Sequence, residues 1–316
     1  MTDGQRSITE NGKIARVRIA DFVVGCHVEQ EPGRIRLHHK LLATKLINHF
    51  RVQDCNPIYT TFASGTEVKK SDCCTEEDLK ESYISKYKSG VATVLYLACT
   101  TRPELAKFAS ELGKVQHRPG RKHFAFLKHV VKYIATHDED GIVFAAPKEP
   151  TEKPAELIGY ADASWADQRD DRRSTGGYVC FFNGGPISWL SKILRAVALS
   201  SAESELYAAC LATQDVVHLR RVLEDMTGVA PSGPTTIYED NNAVIFMTAD
   251  KAKTISTKTK HIACRWFYTA SKVKDGTVVL KPIPTTEQLA DIFTKVTIPR
   301  VQYEFLRGHL VTEVPI

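Results

Sequence analysis

Residues 157–166, LIGYADASWA, read as a buried strand interrupted by one carboxylate, Asp162. Strand interiors disfavour aspartate. Burying its charge costs several kcal/mol unless a partner answers it. Side chains alternate along a strand, so Ile158, Tyr160 and Ser164 share its face. The following residues narrow the architecture. GGYVCFF, NGG and PISWL form a hairpin. SSAESELYAACLATQDVVHLRRVLEDM reads as helix in two pieces, TTIYED as a strand and NNAVIFMTA as a short helix. TKHIACRWFYTASKVK is helical, GTVVLKPI is a strand and TEQLADIFTKV closes as a helix. Three strands followed by two that alternate with helices predict a mixed α/β domain over residues 151–316.

Three further carboxylates sit beside these strands or in helices that pack on them. Asp240 ends TTIYED, and either belongs with Asp162 or caps the next helix. Asp291 lies in the closing helix, placed there by a capping box Thr285-x-x-Gln288. It either faces the sheet or faces solvent. Ser200-x-x-Glu203 is a second capping box, which gives Glu203 a structural role on the backbone N–H of Ser200. Glu205, about 200° further round the helix, is free to face the sheet.

Residues 1–150 read differently. IADFVVGCHVEQEPGRIRLHH suggests two strands around QEPG. KLLATKLINHF is helical, with Leu41, Leu42, Leu46 and Phe50 on one side. A long turn-rich connection over NPIYTTFASGTEVKKSDCCTEEDL precedes two amphipathic segments, the second being RKHFAFLKHVVKYIATH. Net charge is +5, and the excess cations lie in this half. Residues 113–137 hold no acid but carry Arg121, Lys122, Lys128 and Lys132 among other basic residues. Such a face either contacts nucleic-acid phosphates or is a solvated helix surface. APKEPTEKPAE marks a linker near residues 147–155. The 8 cysteines are scattered without metal-binding spacing and read as reduced thiols. No apolar run reaches the ~18 residues of a membrane span. The polar first residues lack a signal-peptide core, so an intracellular protein is expected.

The stretch from YADASWADQRDDRRSTGGYVCFF through SSAESELYAA, followed in order by YEDNNAVIFM, TKTKHI and TTEQLADIFTK, resembles the ribonuclease H domain of Ty1/copia-type retrotransposon Pol polyproteins. GVATVLYLACTTRPELAKFASELGKVQHRPGRKHFAFLKHVVKYIATHDEDGIVF resembles the thumb and connection of the same family's reverse transcriptase. The resemblance implies a ribonuclease H-like mixed five-stranded α/β sheet flanked by helices. A mainly helical thumb/connection-like region over residues 1–150 would precede it. It maps four metal-binding acids onto Asp162, Glu205, Asp240 and Asp291, choosing Glu205 over Glu203. Two Mg²⁺ ions, or Mn²⁺, about 4 Å apart are implied, with Asp162 bridging. Glu205 and Asp240 would complete one site and Asp291 the other.

The implied substrate is the RNA strand of an RNA/DNA hybrid, told from DNA by its 2′-OH groups. Arg172, Arg173, Lys258 and Lys260 are candidate phosphate contacts or plain surface charges. His261 stands in the family's TKH pattern, where a helix-terminal role competes. The loop before the closing helix, PIPTTEQ, lacks the histidine of some related nucleases. Ala263 and Ser164 stand where the family often has acids. No Tyr-x-Asp-Asp hairpin occurs, and Asp170-Asp171 falls in a polar turn. DNA synthesis is therefore not expected, and an upstream palm and fingers would be partners if present. The expected setting is cytoplasmic, in a virus-like particle, or nuclear. The alternative to an active nuclease is a weakly active or inactive nucleic-acid-binding remnant.

Overall fold

The computed structural model describes residues 7–10, 13–16, 20–62, 67–75, 81–146, 156–249 and 260–312. The expected linker at 147–155 lies outside them. β1 (Ser7–Glu10) and β2 (Lys13–Arg16) form an antiparallel pair. β3 (Phe22–Val23), β4 (Cys26–Glu31) and β5 (Arg34–His38) make an antiparallel sheet. Its fourth strand, β6 (Ile142–Ala145), returns after α1 (Lys40–Phe50), α2 (Glu81–Thr100), α3 (Ala106–Gly113) and α4 (Arg121–Thr136). α1 buries Ala43, Leu46, Ile47 and Phe50, while Leu41 is exposed. Its apolar stripe is thus rotated slightly from the one the leucines suggest.

The second half contains β7 (Leu157–Ser164), β8 (Thr175–Phe182), β9 (Gly185–Ile193), α5 (Ser201–Thr227), β10 (Thr235–Glu239), α6 (Asn242–Thr248), α7 (Lys260–Lys274), β11 (Val278–Pro282) and α8 (Arg300–Val311). The five strands lie in the order β11-β10-β7-β8-β9. β7, β8 and β9 run antiparallel, and β10 and β11 run parallel to β7. This is the ribonuclease H-like mixed sheet that the resemblance implies.

Both sheet faces are buried, which explains the nearly continuous apolar character of β7 and β8. Leu157, Ala161 and Ala163 pack with Leu206, Ala208 and Ala209 of α5. Tyr160, Val179 and Phe181 belong to a different cluster with Leu97, Leu105 and Phe108 from the first half and Leu306 from α8. The N-terminal helices therefore cover the face that carries Asp162. Trp189 Nε1 on β9 donates to the Ala98 carbonyl of α2 at 2.7 Å. Lys107 of α3, 1% exposed, donates to Glu111 at 2.8 Å, to Asp167 at 2.9 Å and to Thr175 at 2.8 Å. A buried ammonium with three oxygen partners thus ties the helices to the β7–β8 connection.

Three elements of the second half differ from the sequence expectation. α5 is one 27-residue helix, not two. It has no internal glycine or proline, starts at the Ser200 cap and ends at Gly228, whose φ of 70° suits a left-handed cap. The segment TEQLADIFTKV is not an α-helix but two 3-10 turns, Thr285–Glu287 and Leu289–Phe293. Gln288 between them is extended and breaks the helix. α8 closes the described chain instead, burying Tyr303, Leu306 and Leu310 at helical spacing.

Lys107→Met should cost about 3 kcal/mol in urea unfolding, because Asp167 loses its ammonium while Glu111 keeps only that of Lys114. An unchanged midpoint would show that the network does not hold the two halves together.

Candidate active site

Asp162 lies near the end of β7, opposite Gly177 of β8, and is 2% exposed. Glu205 reaches the same place from the first turns of α5. Ser200 Oγ accepts from the Glu203 N–H at 3.2 Å, as the capping box requires. The Glu203 carboxylate takes the Leu199 N–H at 2.7 Å, one residue before the expected donor. Glu205, free of capping, turns inward and is 7% exposed. Asp240 does not cap α6, because the Asn241 side chain accepts the Ala243 N–H at 3.0 Å. Asp240 Oδ2 instead accepts from Thr285 Oγ1 at 2.9 Å. One carboxylate oxygen from each of Asp162, Glu205 and Asp240 lies within 4.8 Å of the others.

Asp291 sits in the second 3-10 turn, 1% exposed, so it is not the solvent-facing helix acid that its spacing allowed. It stands outside that trio, and Lys295 Nζ holds its Oδ1 at 2.6 Å. Two features bring the turn against the sheet. Gln288 Nε2 donates to the Ala161 carbonyl at 2.9 Å, while Gln288 Oε1 accepts the Ala290 N–H at 3.2 Å. At Gly177, an added Cβ would lie 2.7 Å from Phe293 Cβ and 2.9 Å from Thr294 Cγ2. Only a glycine there lets the turn approach, so that Thr294 Oγ1 donates to Asp162 Oδ2.

The electrostatics follow from crowding and burial. Burial, followed by the charges of Asp162, Glu239 and Asp240, pushes the Glu205 carboxyl up to about 11. Burial and then Asp162 raise Asp291 to about 7 despite its Lys295 partner. Burial also raises Asp162, against the opposing pull of Lys295 and Thr294. Lys295 itself is raised, because the carboxylates outweigh its own desolvation. Glu205 Oε2 and Asp291 Oδ2 are buried with no hydrogen-bond partner. Unanswered hard oxygen donors on converging carboxylates fit a divalent cation such as Mg²⁺ or Mn²⁺.

Sequence reasoning missed two of these neighbours. Glu239 is fully buried beside the trio, its Oε1 accepting the Asn241 N–H at 3.1 Å and its Oε2 unpartnered. A charged residue ending an apolar strand was the available signal, as at Asp162. Lys295 follows Asp291 at i+4, a spacing that brings side chains together on one face.

The proposed phosphate contacts are dispersed. Arg172 is exposed, in a left-handed turn with φ 56°. Arg173 is bound to Asp171 through Nε at 2.8 Å. Lys258 lies outside the described residues, and Lys260 and His261 begin α7 without described side chains. Arg121, Lys122, Lys128 and Lys132 lie on α4, which packs on α1, α2 and the turn at Lys70–Asp72. Lys122 pairs there with Asp72 at 2.7 Å. The histidines of this stretch are partly internal. His123 accepts the Gly120 N–H at 3.0 Å, and His129 is half-buried against the Thr60 carbonyl.

A cleft of about 460 Å³ opens next to Thr294 and Lys295, lined also by Ser164, by Lys69, Arg169 and Arg172, and by the carboxylates of Glu67, Glu111, Asp167 and Asp170. Its two walls come from different halves of the chain. Among the described residues, no helix is long and apolar enough to cross a membrane.

Gly177→Ala should cost about 1–3 kcal/mol by overpacking, read as a lower urea midpoint. A second expectation concerns pH without added metal. Asp291 is raised in the fold from its usual 3.8 to about 7. Its contribution to stability is therefore present below 3.8 and lost as pH rises through about 7. Glu205 extends the same loss to higher pH. Thermal unfolding in chelator, repeated with Asp291→Asn, measures this component.

No family model matches the chain. The retrovirus-related Pol polyprotein from transposon TNT 1-94 of Nicotiana tabacum is 28% identical over 280 residues, covering 88% of this chain and 20% of that protein. The corresponding polyprotein from transposon RE2 of Arabidopsis thaliana is 28% identical over 295 residues, covering 93% and 19%. Secreted RxLR effector protein 161 of Plasmopara viticola is 41% identical over 133 residues, 42% of this chain and 90% of that protein. Ribonuclease H1 of Halobacterium salinarum superposes with 12% identity over 44% of this chain and 94% of its own, with a TM-score of 0.32. The strand order described above, and not this superposition, carries the fold assignment. The chain spans about a fifth of the length of the Pol polyproteins it matches. Along most of its length, and on a ribonuclease H-like sheet, the chain is thus similar to one stretch of the Pol polyproteins of copia-type retrotransposons.

Proposed function

We propose that this chain hydrolyses the RNA strand of RNA/DNA hybrids, as the ribonuclease H part of a retrotransposon Pol protein. The convergence of the Asp162, Glu205 and Asp240 oxygens within 4.8 Å carries the reading. Buried, mutually repelling carboxylates have no structural use that an apolar side chain would not serve at lower cost. They do have a use in holding divalent cations. Asp162, Glu205 and Asp240 would hold one ion, and Asp162 with Asp291 a second. Bound ions would supply charge stabilisation at the scissile phosphate and ionise the attacking water.

The protein's own residues do the rest. Thr294 fixes the Asp162 carboxylate, Thr285 fixes that of Asp240, and the Ser200 cap frees Glu205 to point inward. The cleft beside the acids gives a nucleic-acid backbone a route to them. Arg172 on its wall is a cation in reach of phosphates, while Lys69 and Arg169 would have to exchange their partner Glu67 for one. Arg173, Lys258, Lys260 and His261 are further contacts under this reading, and the exposed cations of α4 extend the basic surface. The 2′-OH groups of the RNA strand provide the discrimination against DNA. Residues 1–150 act as a thumb/connection-like part and 151–316 as the nuclease part. An upstream palm and fingers are the partners within the polyprotein, inside the cell.

The test is cleavage of a labelled hybrid with Mg²⁺ by the wild type and by Asp162→Asn. Cleavage should fall by at least about 10²-fold in the variant, consistent with the magnitude of removed charge stabilisation in other sites. Hybrid binding should persist in the variant. An intact hybrid with wild-type protein, still bound, would instead identify a binding remnant.

A further inference from the structure

We propose, on the reading that these carboxylates hold divalent ions, that Lys295 is a displaceable internal counter-ion that occupies the Asp291 half of the site until a second ion loads. The geometry separates the acids into two unequal sets. Three offer oxygens within 4.8 Å of one another, and two of these, Asp162 and Asp240, accept from threonine hydroxyls. The fourth, Asp291, carries an ammonium at 2.6 Å. An ion shared by Asp162 and Asp291 must displace that ion pair, whereas an ion in the trio feels the Lys295 charge through Asp162 and Asp240 without having to break the pair.

The backbone is built to place it there. Both Thr294 and Lys295 donate their N–H groups to the Asp291 carbonyl, at 3.1 and 2.9 Å. This tight turn folds the Lys295 side chain back over the acid four residues before it. The same turn sends the Thr294 hydroxyl to Asp162. One dipeptide thus serves two carboxylates, one by a neutral donor and one by a cation. The Asp291 side chain is 1% exposed and that of Lys295 33%, so the ammonium stands between the acid and water. The lysine also lines the cleft beside the site. A flexible four-carbon stem lets it swing into that space when a competing cation arrives.

The consequence is ordered loading. The trio takes its ion first, and the Asp291 side takes the second more weakly, because an attached charge must leave. Without metal, Lys295 lessens the repulsion that would otherwise destabilise the fold.

The experiment titrates the full chain with Mn²⁺ by calorimetry, using wild type, Lys295→Gln, Lys295→Arg and Asp291→Asn. The wild type should show two unequal binding events, and Asp291→Asn should lose the weaker one. Lys295→Gln should tighten the weaker event about tenfold or more, since a nearby unit charge is removed. It should also lower the melting temperature in chelator and enlarge the rise that Mn²⁺ produces. Lys295→Arg, which keeps the charge, should stay near wild type. In the wild type itself, amine labelling of Lys295 read by mass spectrometry should accelerate with the second event and not the first. A weaker event unchanged or loosened in Lys295→Gln, or a labelling rate that never rises, overturns the counter-ion role while leaving the metal site intact. Wild type that binds no divalent ion overturns the nuclease reading and this role with it.

Discussion

Like charges held together in a dry place set the terms for this half of the molecule. Burial, and then the charges of neighbouring carboxylates, raise the proton affinity of Asp162, Glu205, Glu239 and Asp291. Such a cluster persists only if its surroundings fix it from several directions. The observed supports come from separate elements. The Ser200 cap orients Glu205, the Asn241 cap releases Asp240, and Gln288 pins the turn that carries Asp291. Gly177 supplies the empty volume into which that turn fits. Each device is local, yet together they aim acids from distant parts of the chain at the C-terminal ends of the parallel strands β7 and β10.

Much of this was legible from residue order. The strand bearing Asp162, the hairpin after it and the alternation of later strands with helices appear where periodicity and turn chemistry put them. Capping rules give Glu203 a structural role and leave Glu205 free, and Glu203 is indeed bonded to Ser200 and Leu199. What was not legible depended on contacts between remote residues. Thr285-x-x-Gln288 fits a capping box, but Gln288 spends its side chain on the Ala161 carbonyl and on Ala290, which breaks the helix. From residue order alone Asp240 eclipses its neighbour Glu239, because nothing local shows that Asp162 and Glu205 come to rest beside both.

The charge surplus of residues 1–150 was a fair but incomplete guide. Part of it never reaches the surface. Lys107 is consumed by Glu111, Asp167 and Thr175, and Arg102 is buried against Glu104 at 2.6 Å. These cations are mortar between elements. The basic stretch 113–137 likewise divides, with outward lysines on α4 and inward-facing histidines that bond to the backbone.

Because Tyr160, Val179 and Phe181 share a cluster with Leu97, Leu105 and Phe108, the hydrophobic interior ignores the division suggested by the family resemblance. A fragment beginning at residue 156 would keep every proposed metal ligand and yet lose the cover from one side of its sheet. Its bared aromatic face would meet water directly and stick to its own kind. For this protein the smallest unit with a covered sheet is therefore larger than the smallest unit that contains the proposed ligands.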